Sequence, residues 1–109
     1  MSIWAIVSFE FEGFHKWDSA PIEVSFLRNL HRHMFKCKVF IEQKHNERDV
    51  EYIQVKKALN SFSSSFIEKE TDSCETIAYN IKNWLDINFP ERRNKVEVTE
   101  DGENGAFID

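Results

Sequence analysis

The sequence is poor in the residues that punctuate or cross-link a chain: among 109 residues there are two cysteines, two prolines and three glycines. Cys37 and Cys74 are too few for the disulfide framework of a small secreted domain, so a reducing, cytoplasmic setting is expected. No apolar run approaches the roughly 18 residues of a membrane span, which excludes a membrane partner of that kind. Met1 to Phe9 has no basic stretch ahead of its apolar residues, so no targeting signal is expected. Basic residues are outnumbered, 14 Lys and Arg against 19 Asp and Glu. A chain of net charge -5 has no continuous basic face with which to release counterions from a phosphate backbone, so nucleic acid is not an expected partner. Repeats and low-complexity tracts are absent as well.

What is present suits one globular domain, residues 1–109. The chain is 41% hydrophobic and 30% charged, with ten Phe and three Trp to fill a core. Val7, Phe9 and Phe11 alternate with Ser8, Glu10 and Glu12, the period of a half-buried strand over about Ile3 to Gly13. His15 shares the parity of Phe9 and Phe11 and is expected to point inward, unless Gly13 introduces a bulge. Lys16 to Asn29 reads as a long connecting loop. A second strand places His31, His33, Phe35, Cys37, Val39 and Ile41 on one face. Lys44 to Asp49 reads as a polar turn and Val50 to Ile53 as a short return strand. Val55, Ala58, Leu59, Phe62 and Phe66 have helical spacing. Asp72 and Glu75 resemble a capping box ahead of a second helical stripe, Ile77, Ala78, Ile81, Trp84 and Leu85, which Pro90 stops. Val96 and Val98 open a last hairpin that turns through Asp101 to Gly105 and returns through Ala106, Phe107 and Ile108. The expected fold is α+β, an antiparallel four-stranded sheet with two helices on one face.

Two histidines at i and i+2 on a strand project from one face about 6 to 7 Å apart and can reach a single ion. A neighbouring antiparallel strand can add His15, and three imidazoles with an open fourth position make a catalytic zinc arrangement. The plainer alternative is that the three are ordinary strand and loop residues. Imidazoles also take iron, nickel or copper. Glu100 shares the parity of Val96 and Val98, so at the end of a buried face it either has a partner or awaits a cationic or amidine-like ligand, unless the strand ends before it and leaves it solvated in an acidic turn. Cys74 begins the second helix, where exposed N–H groups can lower a thiol pKa, or it is a small packing residue. Cys37 lies about 13 Å along the strand from His33 and is assigned to the core.

Taken together, Phe11-Glu12-Gly13-Phe14-His15 and Leu30-His31-Arg32-His33-Met34-Phe35 resemble the His and His-x-His zinc motifs of the 6-pyruvoyltetrahydropterin synthase and 6-carboxytetrahydropterin synthase family. Ser73-Cys74-Glu75-Thr76-Ile77-Ala78 resembles that family's helix-opening segment, and Val98-Thr99-Glu100-Asp101 the strand whose glutamate anchors the pterin. The resemblance implies the tunnelling, or T-fold, in which sheets of several subunits form a barrel, hence a homo-oligomer, a trimer or hexamer. It implies Zn2+ on His15, His31 and His33, and a pterin or purine-like ligand, such as a deazaguanine precursor, bound by Glu100, Ser73 and Cys74. Two departures stand out. Leu27 occupies the position of the family's catalytic cysteine, and Ser61 to Asp72 contains no histidine for its Asp-His pair, which leaves Cys74 as the one candidate thiol.

Three functions follow as expectations. The first is a divergent zinc-dependent enzyme, a carbon-oxygen or carbon-carbon lyase of the pterin synthase type. The second is a module on the same fold that binds the ligand and has lost catalysis. The third is an oligomer stapled by zinc with a protein group as fourth ligand.

Overall fold

A computed structural model describes residues 1–66 and 72–109. Strand β1 runs Trp4–His15, β2 His31–Glu42, β3 Asn94–Glu100 and β4 Asn104–Ile108, and helices α1 and α2 run Tyr52–Ser63 and Cys74–Asn88. All neighbours in the sheet are antiparallel and their order follows the chain, β1-β2-β3-β4. The fold is therefore α+β, as the alternation of apolar residues predicted.

The alternation decides which face is covered. Along β1 every second residue from Ala5 to His15 is buried, while the residues between are exposed. Of these, Ala5, Val7, Phe9 and Phe11 join Phe35, Cys37, Val39 and Ile41 of β2 and Val96 and Val98 of β3 in one cluster with Val55 and Leu59 of α1 and Ile77, Ile81 and Leu85 of α2. Both helices thus close the same face. Each fully buried Leu or Ile of that layer contributes about 1.5–3 kcal/mol from removal of its surface from water.

Gly13 makes no bulge. The register is unbroken from Trp4 opposite Glu42 to His15 opposite His31, with Gly13 opposite His33. A side chain there would run into the Phe35 ring, 2.8 Å from where its Cβ would be.

Two local expectations are corrected. Val50 to Ile53 is not a strand. Val50 is buried, Glu51 caps α1 with its carboxylate accepting the Ile53 N–H, and the helix begins at Tyr52. Four residues are too few to separate strand from helix by period, because Val50 and Ile53 are also three apart. The cap of α2 is Ser73 rather than Asp72, with Ser73 Oγ accepting the Thr76 N–H at 3.2 Å. Within the stretch read as a loop, Ile22–Arg28 forms 3-10 turns, anchored by Arg28, whose guanidinium donates twice to the Ala20 carbonyl. The segment between the helices, where the family resemblance would place an Asp-His pair, lies partly outside the described residues. Among the described residues no helix is long and apolar enough to cross a membrane.

One feature of the sheet positions the site. β3 pairs only with Phe35 to Ile41 of β2, so the segment carrying His31 and His33 extends past the end of β3 and is flanked by β1 alone. The turn after β3 folds over this overhang. Asp101 N–H donates to the Met34 carbonyl at 2.8 Å, and Asp101 Oδ1 accepts the Met34 N–H at 2.8 Å.

Candidate metal centre and adjoining cleft

His15 and His31 stand directly opposite each other on β1 and β2, and His33 is two residues further along the same face of β2. Directly opposed side chains have Cβ atoms about 5 Å apart, and residues i and i+2 about 6 to 7 Å, so the three rings must converge. Their centroids form a nearly equilateral triangle with sides of 4.6, 5.1 and 5.0 Å, each ring edge-on to the others. The Phe35 ring packs against His15 and His33, at 5.3 and 5.9 Å. One nitrogen from each histidine lies within 4.8 Å of the other two.

The nitrogen each ring presents follows from what holds its other side. His15 Nδ1 lies 2.8 Å from the Asp72 carbonyl oxygen, and His31 Nδ1 lies 2.8 Å from that of Asn29. A carbonyl can only accept, so both Nδ1 atoms carry the hydrogen and both Nε2 atoms keep a lone pair in the neutral ring. His33 Nδ1 donates to Asp101 Oδ2 at 2.7 Å, a carboxylate–histidine pairing that fixes tautomer and ring angle in metal sites. Asp101 is held below the usual carboxylate range by that bond first, and by the Met34 N–H second.

His33 Nε2 is buried and makes no hydrogen bond. A buried lone pair facing those of two neighbouring imidazoles is what a metal ion satisfies. A tetrahedral ion with bonds near 2.0 Å sets its ligand atoms about 3.3 Å apart, so closing from at most 4.8 Å takes a shift of under about 1 Å per ring. The three donors can therefore hold one metal ion.

Glu100, the last residue of β3, is the partnered carboxylate rather than a solvated one. Its Oε2 lies 3.1 Å from His33 Nε2 and its Oε1 3.7 Å from His15 Nε2. The Cys74 thiol donates to Oε1 at 3.8 Å. Burial, and after it the charges of Glu100 and Glu75, push the Cys74 thiol up to about 12, so the helix N-terminus is outweighed and the group is a neutral thiol at pH 7. Cys37 is buried in the core and likewise pushed up to about 12, by burial first. His45 is away from the cluster, half-exposed and paired with Asp49.

A cleft of about 490 Å³ opens beside the histidines, lined among others by His15, His31, Ser73, Cys74 and Glu100, and by Leu27 and Trp17. Ser73 Oγ is engaged at the helix cap, accepting the Thr76 N–H while its own hydrogen points to Thr76 Oγ1. The nearby basic residues are taken up by neighbours: Lys16 by Asp18 and Arg32 by Glu12.

Two residues of this site escape a reading by period. Asp101 reads only as the start of an Asp-Gly turn, and nothing local shows that its carboxylate returns to a histidine 68 residues earlier. Trp17 lies two residues past His15, a spacing that already places it at the same end of the sheet. Compared with known proteins, the chain matches no protein-family model and no curated protein.

Proposed function

We propose that this domain holds zinc on His15, His31 and His33 and takes a pterin or purine-like compound into the adjoining cleft, in the manner of the 6-pyruvoyltetrahydropterin and 6-carboxytetrahydropterin synthases that its motifs resemble. The observation that carries the proposal is the set of three imidazoles whose Nδ1 atoms are all held from behind, by Asp72 O, Asn29 O and Asp101 Oδ2. Zinc in such a place supplies a Lewis acid that polarises a hydroxyl or carbonyl oxygen. Glu100 has the geometry of a two-oxygen acceptor for the paired N–H groups of an amino-pyrimidine edge. Trp17 offers a ring at the cleft wall for a planar ligand to lie against.

A second reading, capture of the same ligand without turnover, draws on two observations. Leu27 lines the cleft at the place where the resemblance would have a thiol, and a leucine exchanges no proton. The thiol that is present, Cys74, is protonated at pH 7. Proton transfer is the part of the reaction for which the described residues of the cleft show least provision.

Association into a homo-oligomer, a trimer or hexamer with its sheets in a barrel, is part of the proposal. β1 and β4 have a sheet neighbour on one side only, and such edges take up further strands unless covered. Ile6 and Phe107 stand more than half exposed on the face away from the helices.

Elemental analysis of protein purified without a metal-affinity tag tests the centre. One zinc per chain is expected, lost in His31→Ala and His33→Ala, and no metal in any sample would overturn the proposal. Turnover of dihydroneopterin triphosphate then selects the enzyme reading, and ligand-induced quenching of tryptophan fluorescence without turnover selects the second.

A further inference from the structure

We propose that Glu100 is the fourth ligand of the metal whenever the cleft holds no small molecule, so that the centre closes on its own carboxylate and opens by exchanging it. The proposal rests on the reading of His15, His31 and His33 as a metal centre and extends it to the open position.

The geometry behind it is a contact that makes no sense between two acceptors. The Nδ1 bond of His33 to Asp101 leaves a lone pair on Nε2, and 3.1 Å away from that atom is Glu100 Oε2, which also has only lone pairs to offer. Two lone pairs at that distance repel unless a proton or a metal ion lies between them. A proton shared by the pair is one such bridge and a metal ion is the other. The second oxygen bears on the choice, because Oε1 approaches His15 Nε2 at 3.7 Å. Each separation is within a few tenths of an ångström of the roughly 3.3 Å between two ligand atoms of one tetrahedral ion, and a single one of the two oxygens suffices as the fourth ligand.

The backbone explains why this residue reaches. Glu100 is opposite Phe35, where β3 ends, and it is on the parity of Val96 and Val98, so its side chain leaves the sheet on the histidine face beside the overhanging end of β2. The Cys74 thiol donates to Oε1 and restrains the carboxylate there. Glu100 remains one-third exposed to the cleft, 34% of its side chain, so an entering molecule can meet it. A ligand presenting two N–H groups draws the carboxylate from the metal to itself, and the position vacated takes the ligand's own oxygen. One metal–oxygen bond is exchanged for another, with no change of oxidation state.

Cobalt(II)-loaded protein tests this through its visible spectrum, with two probes of the fourth position, azide and neutral imidazole. The preliminary reading is cobalt stoichiometry: failure to take up one cobalt per chain, or uptake unchanged by His31→Ala, overturns the metal centre itself. With the centre established, wild type is titrated beside Glu100→Ala and Glu100→Gln, each checked for cobalt loading and for an unchanged circular dichroism spectrum. If the carboxylate occupies the position nine times in ten, it weakens an incoming ligand about tenfold. Both probes are therefore expected to bind at least about tenfold tighter to the variants. Tightening of azide alone reports only the removal of a negative charge, and equal binding of both probes to all three proteins reports a water at the fourth position. Either result overturns the proposal.

Discussion

Replacing Asp101 by asparagine tests whether the centre depends on the groups behind its ligands. Asp101 serves two donors with two oxygens, Oδ2 for His33 Nδ1 at 2.7 Å and Oδ1 for the Met34 N–H at 2.8 Å. An amide has one oxygen. Turned toward Met34, it sets its NH2 group against His33 Nδ1, which must then give up its hydrogen; the ring takes the other tautomer, and Nε2 carries a proton where the metal needs a lone pair. Turned toward His33, it leaves the Met34 N–H without an acceptor, at a cost of about 1 kcal/mol or more. Loss of an orienting partner of this kind lowers metal affinity about 10- to 100-fold, and with Asp101 half-exposed the lower end is expected, about tenfold. The assay is competition for zinc with a chromophoric chelator at pH 7. Asn29→Ala is the control, because His31 is held by the Asn29 main-chain carbonyl and the substitution leaves that carbonyl in place. Asp101→Asn within twofold of wild type, in a protein of unchanged circular dichroism, would refute the argument.

Four further outcomes are expected. Ser73→Ala removes the oxygen that accepts the Thr76 N–H and should lower stability in urea by about 1 kcal/mol, whereas Asp72→Ala should leave the capping contribution intact; the reverse order would restore Asp72 as the cap. Gly105→Ala should cost about 3 kcal/mol or more, as overpacking against rigid backbone does, because its Cβ would fall on the Val98 carbonyl oxygen; retention of the wild-type melting temperature would show that the β3–β4 pairing differs from that described. Glu42 is held below the usual carboxylate range by its hydrogen bonds to Arg93, and Asp49 by the Lys44 backbone N–H first and Arg92 after burial is offset. Both shifts are downward, so the stability they lend is present above about pH 4 and is lost as pH falls through the lower folded values; Arg93→Gln should move the acid unfolding midpoint, followed by circular dichroism at low salt, to higher pH. Chelation should lower the melting temperature of wild type, by about 4 kcal/mol of stability where free zinc had stood at a thousand times its Kd, and should leave His31→Ala unmoved.

The parts of this molecule legible in the sequence are those set by period. Phe9, Phe11 and His15 share a parity, and the structure buries all three; the same count carries His31 and His33 to one face of β2. Cross-strand placement was legible only because the hairpin from β1 to β2 is unbulged, which Gly13 alone left open. What period could not reach is non-local or short. Val50 to Ile53 spans barely one helical turn, and its fate is decided by Glu51 capping the helix that follows. The Cys74 thiol illustrates the other limit: its place at the start of α2 argues for a lowered pKa, yet burial first, and then the charge of Glu100, which 26 residues later comes within 3.8 Å of the sulfur, drive the pKa the opposite way. Asp101 joins His33 across a still longer separation, and no pattern along the chain announces it.

The way the rings are held also explains why metal binding and turnover can part company in such a domain. His15 and His31 are oriented by main-chain carbonyls, which survive any substitution at Asp72 or Asn29 so long as the backbone keeps its course. Only His33 relies on a side chain. The three supports come from three separate connections, ahead of β2, ahead of α2 and after β3, so the centre draws together the segments that also wall the cleft, and a metal that binds the folded arrangement stabilises all of them at once. Proton transfer has no such redundancy, since it needs a titrating group at one place within hydrogen-bond reach of the substrate. On the proposed reading Leu27, which lines the cleft, stands at that place, and a leucine there would remove the step while every interaction that positions the histidines and Glu100 remains. On that reading the construction of the site favours metal and ligand binding over turnover, and the assay with dihydroneopterin triphosphate bears on the weaker of the two links.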